Sequence, residues 1–342
     1  MKYKLLSVKG LGGVNIGDYI QALASSQFLP QVDGFVEREK LKDYDGEVCK
    51  TIMNGWYMHN SEQWPPSSKI IPLYVAVHIN STVKDKFLSN ESIAYLKQHE
   101  PIGCRDTNTM ELLQQKGIDA YFSGCMTLTL GYKYHSEEKE NKYYFVDPYF
   151  VTHWKLCTTL YNAIYLLFHW RPISIIAKKH PDSKTGLRKK MIITTFYREY
   201  KRFFNKDVLL NAEYISQQNT EYIHKFSTDE ELLKEAERLV KCYAKAKLVV
   251  TSRIHCALPC LGLGTPVIYT EDAQQSEASA CRFGRIRELF NIIKWDYDHL
   301  VQEFKGELPL NNTSAWINRP QWKTLAESLI TKCTAFVQNQ YE

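Results

Sequence analysis

Short apolar runs alternate with amphipathic stretches along the whole chain. In the first half, YKLLSVK (3–9), EVCKTIMNGW (47–56), LYVAVHIN (73–80), IGCR (102–105) and AYFSG (120–124) each predict a strand, and each ends in polar or glycine-rich residues. Runs of this kind with helical segments between them predict one doubly wound parallel sheet. After the first strand, the glycines of GLGGVNIGD permit a close turn into a helix, YIQALASSQFL, whose start Asp18 can cap. No G-x-G-x-x-G register occurs there, so the dinucleotide fingerprint is absent. Asp106 caps a second helix, TNTMELLQQKG, closed by Gly117.

The second half repeats the alternation. YISQQN (214–219) predicts a strand, and Ser227 with Glu230 predicts a capping box opening the helix DEELLKEAERLVKCYAKA. In LVVTSRIHCALPCLGLGTPVIY (248–269) a β-branched strand gives way, from about Cys256, to a short apolar helix ending near Gly262 or Gly264, after which PVIYT restarts a strand. RPQWKTLAESLITKCTAFV (319–337) is a final amphipathic helix with proline near its start. The expected fold class is α/β, with two Rossmann-like domains facing a central cleft. Residues 1–150 would form the first, 151–210 a basic-aromatic connecting segment, 211–318 the second, and 319–342 a C-terminal helix.

Arg253 and His255 stand out because they interrupt an apolar run at the strand-to-helix handover. In open α/β sheets that edge binds ligands, and a helix N-terminus there offers free N–H groups to an anion. A buried ion pair holding the turn together is the structural alternative. Composition narrows the classes. The chain has 342 residues, 44% hydrophobic and 13% aromatic, enough for two domains. Its nine cysteines are scattered without a Cys-x-x-Cys pair, and no histidine cluster has zinc spacing, so reduced thiols and no metal are expected. MKYKLLSVKGLGG lacks a signal-peptide core, and LCTTLYNAIYLLFHW (156–170) is too short and polar to span a bilayer. A cytoplasmic protein is expected.

The net charge of +5 is unevenly placed. Residues 154–206 carry twelve Lys and Arg against Asp182 and Glu199, a local +10, which leaves −5 for the remainder. Within them, residues 178–190 look like an exposed basic loop, followed by the aromatic-basic run FYREYKRFF (196–204). Such a segment suits an anionic membrane surface on the inner face of the cytoplasmic membrane, or a diphosphate-linked acceptor; a solvated loop and helix face is the alternative. Nucleic acid is excluded as a partner by the acidic remainder and the lack of a binding motif.

VNIGD (14–18), CRD (104–106) within IGCRDTNTMELLQQKGIDAYFSG, and AKLVVTSRIHCALPCLGLGTPVIY (246–269), in that order, resemble the polysaccharide pyruvyl transferases. The resemblance runs from Lys4 to about Tyr269 and is weakest over residues 135–210. It implies a two-domain fold similar to the GT-B glycosyltransferases, and transfer of a pyruvyl group from phosphoenolpyruvate to a sugar as a cyclic ketal, with no cofactor. Family arginines and the Arg-x-His pair map onto Arg105, Arg253 and His255. NGWYMHNSEQWPPSS and the basic middle depart from the general family pattern, so the acceptor does not carry over.

The residue types suit that chemistry on their own terms. Phosphoenolpyruvate carries a carboxylate and a phosphate, for which Arg253 and Arg105 can supply fixed cations. Protonation of its methylene needs an acid, for which His255 is the candidate, and Asp18 is the candidate base for the acceptor hydroxyl. Asn15 and Gly17 in the VNIGD motif, and Asn54, Trp56, His78, Ser123 and Ser252 at strand ends, are the remaining substrate-binding candidates, with Tyr57 beside Trp56 as a second stacking surface. The expected acceptor is a sugar, galactose-type and undecaprenyl-diphosphate-linked, of a capsule or surface polysaccharide. Two other functions remain open at this point: a GT-B glycosyltransferase using a nucleotide sugar, and a non-enzymatic module of a polysaccharide assembly complex.

Overall fold

The structure, a computed structural model, describes residues 1–8, 14–57, 60–218, 221–274, 281–305, 308–309 and 317–339. The glycine run before Val14 lies outside these residues, and so does the expected turn there. The chain folds as a mixed α/β protein built on two sets of parallel strands.

In the first half Lys2–Tyr3 pairs with Cys49–Ile52, which pairs with Ile70–Leu73. Beyond a break at Lys4 the same strand continues as Leu5–Ser7 and pairs with Phe35–Glu37. Trp56–Tyr57 pairs with His78–Ile79, and Ile102–Cys104 with Ala120–Phe122. A bridge from Val77 to Cys104, with the Gly103 N–H donating to the Tyr74 carbonyl at 3.0 Å, links these ladders across the half. Four of the five expected strands are present, but over residues 73–80 only Leu73 and His78–Ile79 are strand, and Phe35–Glu37 and Ile70–Leu73 are two strands the sequence reading missed.

The second sheet has six strands. Its order is Glu213–Ile215, Tyr143–Val146, Leu248–Thr251, Val267–Asp272, Asn291–Asp296 and His299–Gln302, parallel except for the last, a hairpin strand. Tyr143–Val146 pairs with Leu248–Thr251, so the handover between halves precedes Tyr143 rather than falling at residue 150. The connecting segment is also corrected. It folds into the helices Leu156–Phe168, Trp170–Lys179, Gly186–Tyr200 and Lys206–Asn211, leaving only residues 180–185 between the middle two. Most of the expected basic loop is therefore helix. Phe196, Tyr197, Phe203 and Phe204 are buried in a core with Phe145 and Tyr214 of the second sheet, so this aromatic run is packing rather than surface.

Two helix starts differ from expectation by a few residues. The helix Ile16–Ser26 is capped by Asn15, whose Oδ1 accepts from the Gly17 N–H at 3.1 Å, which places Asp18 in the first turn and not at the cap. The capping box of Asp229–Lys245 is Thr228 with Glu231, one residue beyond the expected pair, while the Ser227 N–H also donates to Glu231. Asp106 caps Thr107–Gln115 as expected, its Oδ1 accepting from the Thr109 N–H at 2.9 Å.

One core joins the halves. Helices Ile16–Ser26, Asp229–Lys245, Ile254–Gly262 and Trp322–Gln338 all contribute to it. Ser7 and Tyr19 hydroxyls both donate to Asp229 Oδ1 at 2.6 Å, tying the first helix to the second half. Trp322–Gln338 returns to the first half, where the buried Lys50 ammonium donates to the Phe336 carbonyl at 2.8 Å. The N-termini of Ile16–Ser26 and Ile254–Gly262 are thereby held against each other, and the site forms there.

Candidate active site

Gly17 and His255 meet in close contact between the halves. A Cβ on Gly17 would lie 3.0 Å from the His255 Cβ and 3.4 Å from its Nδ1, so only glycine leaves the imidazole its place. His255 itself leaves helical geometry at φ −85°, ψ 20°, the sparsely occupied bridge region, inside the Ile254–Gly262 helix. Its carbonyl accepts from Gln217 Nε2 at 3.3 Å, and Gln218 forms a bridge to Asn15. Alanine at Gly17 would gain up to about 1 kcal/mol of helix propensity. The clash predicts the opposite sign, a net loss of about 1–2 kcal/mol in denaturant unfolding, because overpacking costs more than propensity returns.

Arg105 follows the strand Ile102–Cys104 and is 1% exposed. Its Nε and Nη2 have no hydrogen-bond partner among the described residues, and Nε stands 3.9 Å from Asp106 Oδ2. Asp106 is bound instead by His78, Nδ1 to Oδ2 at 2.6 Å, which leaves His78 Nε2 without a partner. His255 Nε2 is unpartnered as well. Buried polar atoms without partners are rare, and here several converge.

A further cation completes the cluster, and the sequence reading missed it. The guanidinium of Arg282 lies 4.5 Å from the ring centre of Trp56, whose ring is 6.0 Å from that of His78. Arg282 Nε is buried without a hydrogen-bond partner among the described residues. Two contacts bring it in. Asn108 Nδ2 donates to the Cys281 carbonyl at 2.7 Å, and Gly284, at φ +44°, packs so closely on Thr107 that a side chain would strike its backbone nitrogen at 2.9 Å.

These cations act on one another. Burial lowers the pKa of His78 to about 4, with Arg105 and Arg282 adding to the shift and Asp106 opposing it. Burial, then Arg105 and Arg282, hold His255 well below the ordinary imidazole range. Burial and then Arg105 also lower the Arg282 guanidinium, while the Asp18 carboxylate favours its charge. The site thus sets two neutral imidazoles beside two fixed cations, a field suited to an anion. A pH dependence follows. Burial also brings His180, under the second sheet, to about 4. Between about pH 6.5 and 4 the unfolded chain binds protons at His78 and His180 that the folded protein refuses. Stability therefore falls as pH drops through that window, on the order of 3 kcal/mol for each fully expressed shift. Urea titrations at pH 7.5 and 5 measure it, and a flat profile would contradict neutral burial.

The other sequence candidates divide. Asn15, Gly17, Asp18, Trp56, His78, Arg105 and His255 come together. Arg253 caps the helix but is ion-paired, Nε to Asp147 Oδ2 at 2.8 Å, with Nη1 donating to Gln218 Oε1 at 3.1 Å. Its charge is matched within the protein, so it braces the 217–218 segment rather than standing as an open cation. Asn54 is spent on the first helix, accepting from Ser25 Oγ at 2.8 Å and donating to the Gln21 carbonyl at 3.0 Å. Ser123 Oγ accepts from the Ala76 N–H and donates to backbone carbonyls, and Ser252 Oγ donates to the Asp147 carbonyl. Tyr57 is buried against Trp64 and Phe87, which leaves no exposed ring face for stacking. Beside Cys281, a groove of about 790 Å³ opens between the halves, with Ile79, Asn108, Glu111, Asp272 and Arg287 among its lining. Among the described residues no group of three His, Cys, Asp or Glu could hold a metal ion.

The family model for polysaccharide pyruvyl transferase matches residues 15–271. Both sides of the Gly17–His255 contact, together with His78 and Arg105, fall within the match, and Arg282 lies just beyond it. The chain belongs to the polysaccharide pyruvyl transferase family, a family of transferases. Neither the curated proteins nor the solved structures contain a match to it.

Proposed function

We propose that the protein transfers the pyruvyl group of phosphoenolpyruvate to two hydroxyls of a sugar, forming a cyclic ketal and releasing phosphate, in a cleft arranged like that of GT-B enzymes. The observation that carries this is the pair Arg105 and Arg282, whose buried guanidinium nitrogens lack partners among the described residues and whose charges act on His255. A donor with carboxylate and phosphate supplies the partners these nitrogens lack. Its charge also cancels the field that keeps His255 neutral, so donor binding raises the imidazole pKa and loads it with a proton.

The protonated His255 then delivers that proton to the donor methylene, which becomes a methyl group, and positive charge develops at the adjacent carbon. The first sugar hydroxyl attacks that carbon, forming one C–O bond. The C–O bond to phosphate breaks, and the second hydroxyl closes the ring. Two hydroxyl protons are released; one restores His255 and the other leaves on phosphate. Asp18, in the first helical turn and within the field of Arg282, serves as base for the attacking hydroxyl. The groove beside Cys281 receives the acceptor. A galactose-type residue on a polyprenyl diphosphate is the acceptor class we favour for a surface polysaccharide.

The test is phosphate release from phosphoenolpyruvate across a panel of galactosides and lipid-linked sugars. Acceptor-dependent release with a ketal in the product supports the proposal. Turnover of nucleotide sugars with no release from phosphoenolpyruvate would overturn it.

A further inference from the structure

The helix Leu156–Phe168 is inside out. Its buried residues are Asn162 and Leu166, and Asn162 is held inward by Thr195 Oγ1 at 3.1 Å and Arg198 Nη1 at 2.7 Å. Its apolar residues face solvent: Leu156 is 84% exposed, Leu167 74% and Phe168 82%, with Leu160 and Ile164 on the same stripe. Spacings of three and four make this one continuous face. The next helix extends it with Trp170 and Ile175. Trp154 and Leu187, both exposed, meet across a groove of about 370 Å³ that they line with Arg188 and Met191. An exposed surface of this extent on a protein marks a contact site.

Charge decides what covers it. Lys155, Arg171, Lys178, Lys184 and Arg188 are exposed around the apolar face, and their side chains form no hydrogen bond or ion pair among the described residues. Arg171, Ile175 and Lys178 share one face of their helix, so charge and apolar surface point the same way. Asp182 is the only acidic residue between 154 and 190. A second copy docked face to face would set this basic rim against itself. A surface that takes up apolar side chains and is negatively charged at its edge fits both features. No helix among the described residues is long and apolar enough to cross a membrane, so contact would be made from one side.

We propose that this face seats the protein on an anionic lipid bilayer, with the exposed stripe of Leu156–Phe168 lying at the headgroup boundary and the basic rim on the lipid phosphates. The proposal does not depend on the reaction, and its test requires no turnover. Vesicles of phosphatidylcholine with 30% phosphatidylglycerol (roughly the anionic content such docking calls for) are compared with pure phosphatidylcholine by co-sedimentation and by the fluorescence of Trp154 and Trp170. The expected result is binding to the anionic vesicles with a blue shift, weakened at high salt. Leu160→Asn/Leu167→Asn/Phe168→Asn should lower partitioning at least about tenfold, since each apolar side chain adds several-fold. Arg171→Gln/Lys178→Gln/Lys184→Gln/Arg188→Gln should do the same on anionic vesicles only, and these exposed charges can be removed without touching the core. Absence of binding by the parent protein, or binding that neither set changes, overturns the proposal. A lipid-free dimer that the apolar set dissociates also overturns it, and makes the face an interface between copies.

Discussion

His255→Gln is expected to lower turnover by about 10²–10⁴-fold while leaving phosphoenolpyruvate affinity within a few-fold. Before donor binds the imidazole is neutral, so glutamine removes no charge that first meets the donor. What it removes is the proton carrier. The ring is locked by Gly17 on one side and has no partner on Nε2 among the described residues, which leaves that nitrogen for the reacting atoms. Steady-state phosphate release and donor titration together measure the split. Near-normal turnover would return His255 to a structural role. A loss of affinity as large as the loss of turnover would make it an anion ligand.

Arg105→Met is expected to weaken donor binding about 10²–10³-fold, because it strips charge-assisted contacts from a buried anion. The same change should leave the unliganded protein as stable or more stable, by about 1–3 kcal/mol, since a buried guanidinium with unpartnered nitrogens is a cost of folding. This opposition separates function from architecture. If Arg105 were the structural counter-ion of Asp106, its loss would destabilise the apo protein at once. Thermal unfolding with and without phosphoenolpyruvate reads both effects. Arg105→Lys should not rescue binding, because one ammonium cannot reproduce a fork of donors. Arg253→Ala should act differently: it breaks the Asp147 pair, costs about 1–2 kcal/mol of stability and weakens the donor far less than Arg105→Met.

The strand-to-helix handovers are legible in the sequence because each combines a β-branched run, a polar break and an apolar helix. Residue order alone puts Asn15, Gly17, Arg105 and His255 at those handovers. What it does not carry is partnership. Arg253 reads as an open cation until Asp147, 106 residues away, is seen beside it. Ser123, Ser252 and Asn54 sit at ligand-facing strand ends, yet nearby backbone or helix groups consume them, as buried polar groups usually are. Arg282 lies in CRFGRIREL, a stretch without periodicity, and is brought to the site by contacts with Asn108 and Thr107 of the other half. Gly284 is its one available signal.

The middle of the chain misleads for a different reason. Lysines at residues 178–190 suggest a loop, but helix faces carry lysine equally well. The aromatics of FYREYKRFF are core, because Phe196, Tyr200 and Phe204 recur at helical spacing under Phe145. The exposed stripe of Leu156–Phe168 comes from the opposite half of the same segment. Tyr143–Val146 shows the limit on domain boundaries, since which sheet a parallel strand joins is set by distant pairing and not by its own residues.

The most direct measurement is calorimetric titration of phosphoenolpyruvate at pH 7.5 in buffers of different ionisation enthalpy, for the parent protein and His255→Gln. The account predicts binding accompanied by proton uptake in the parent, affinity that rises as pH falls toward the unliganded imidazole range, and less uptake in the variant by up to one proton. Binding with the same proton balance in both proteins, or no binding while a nucleotide sugar binds in its place, would contradict it.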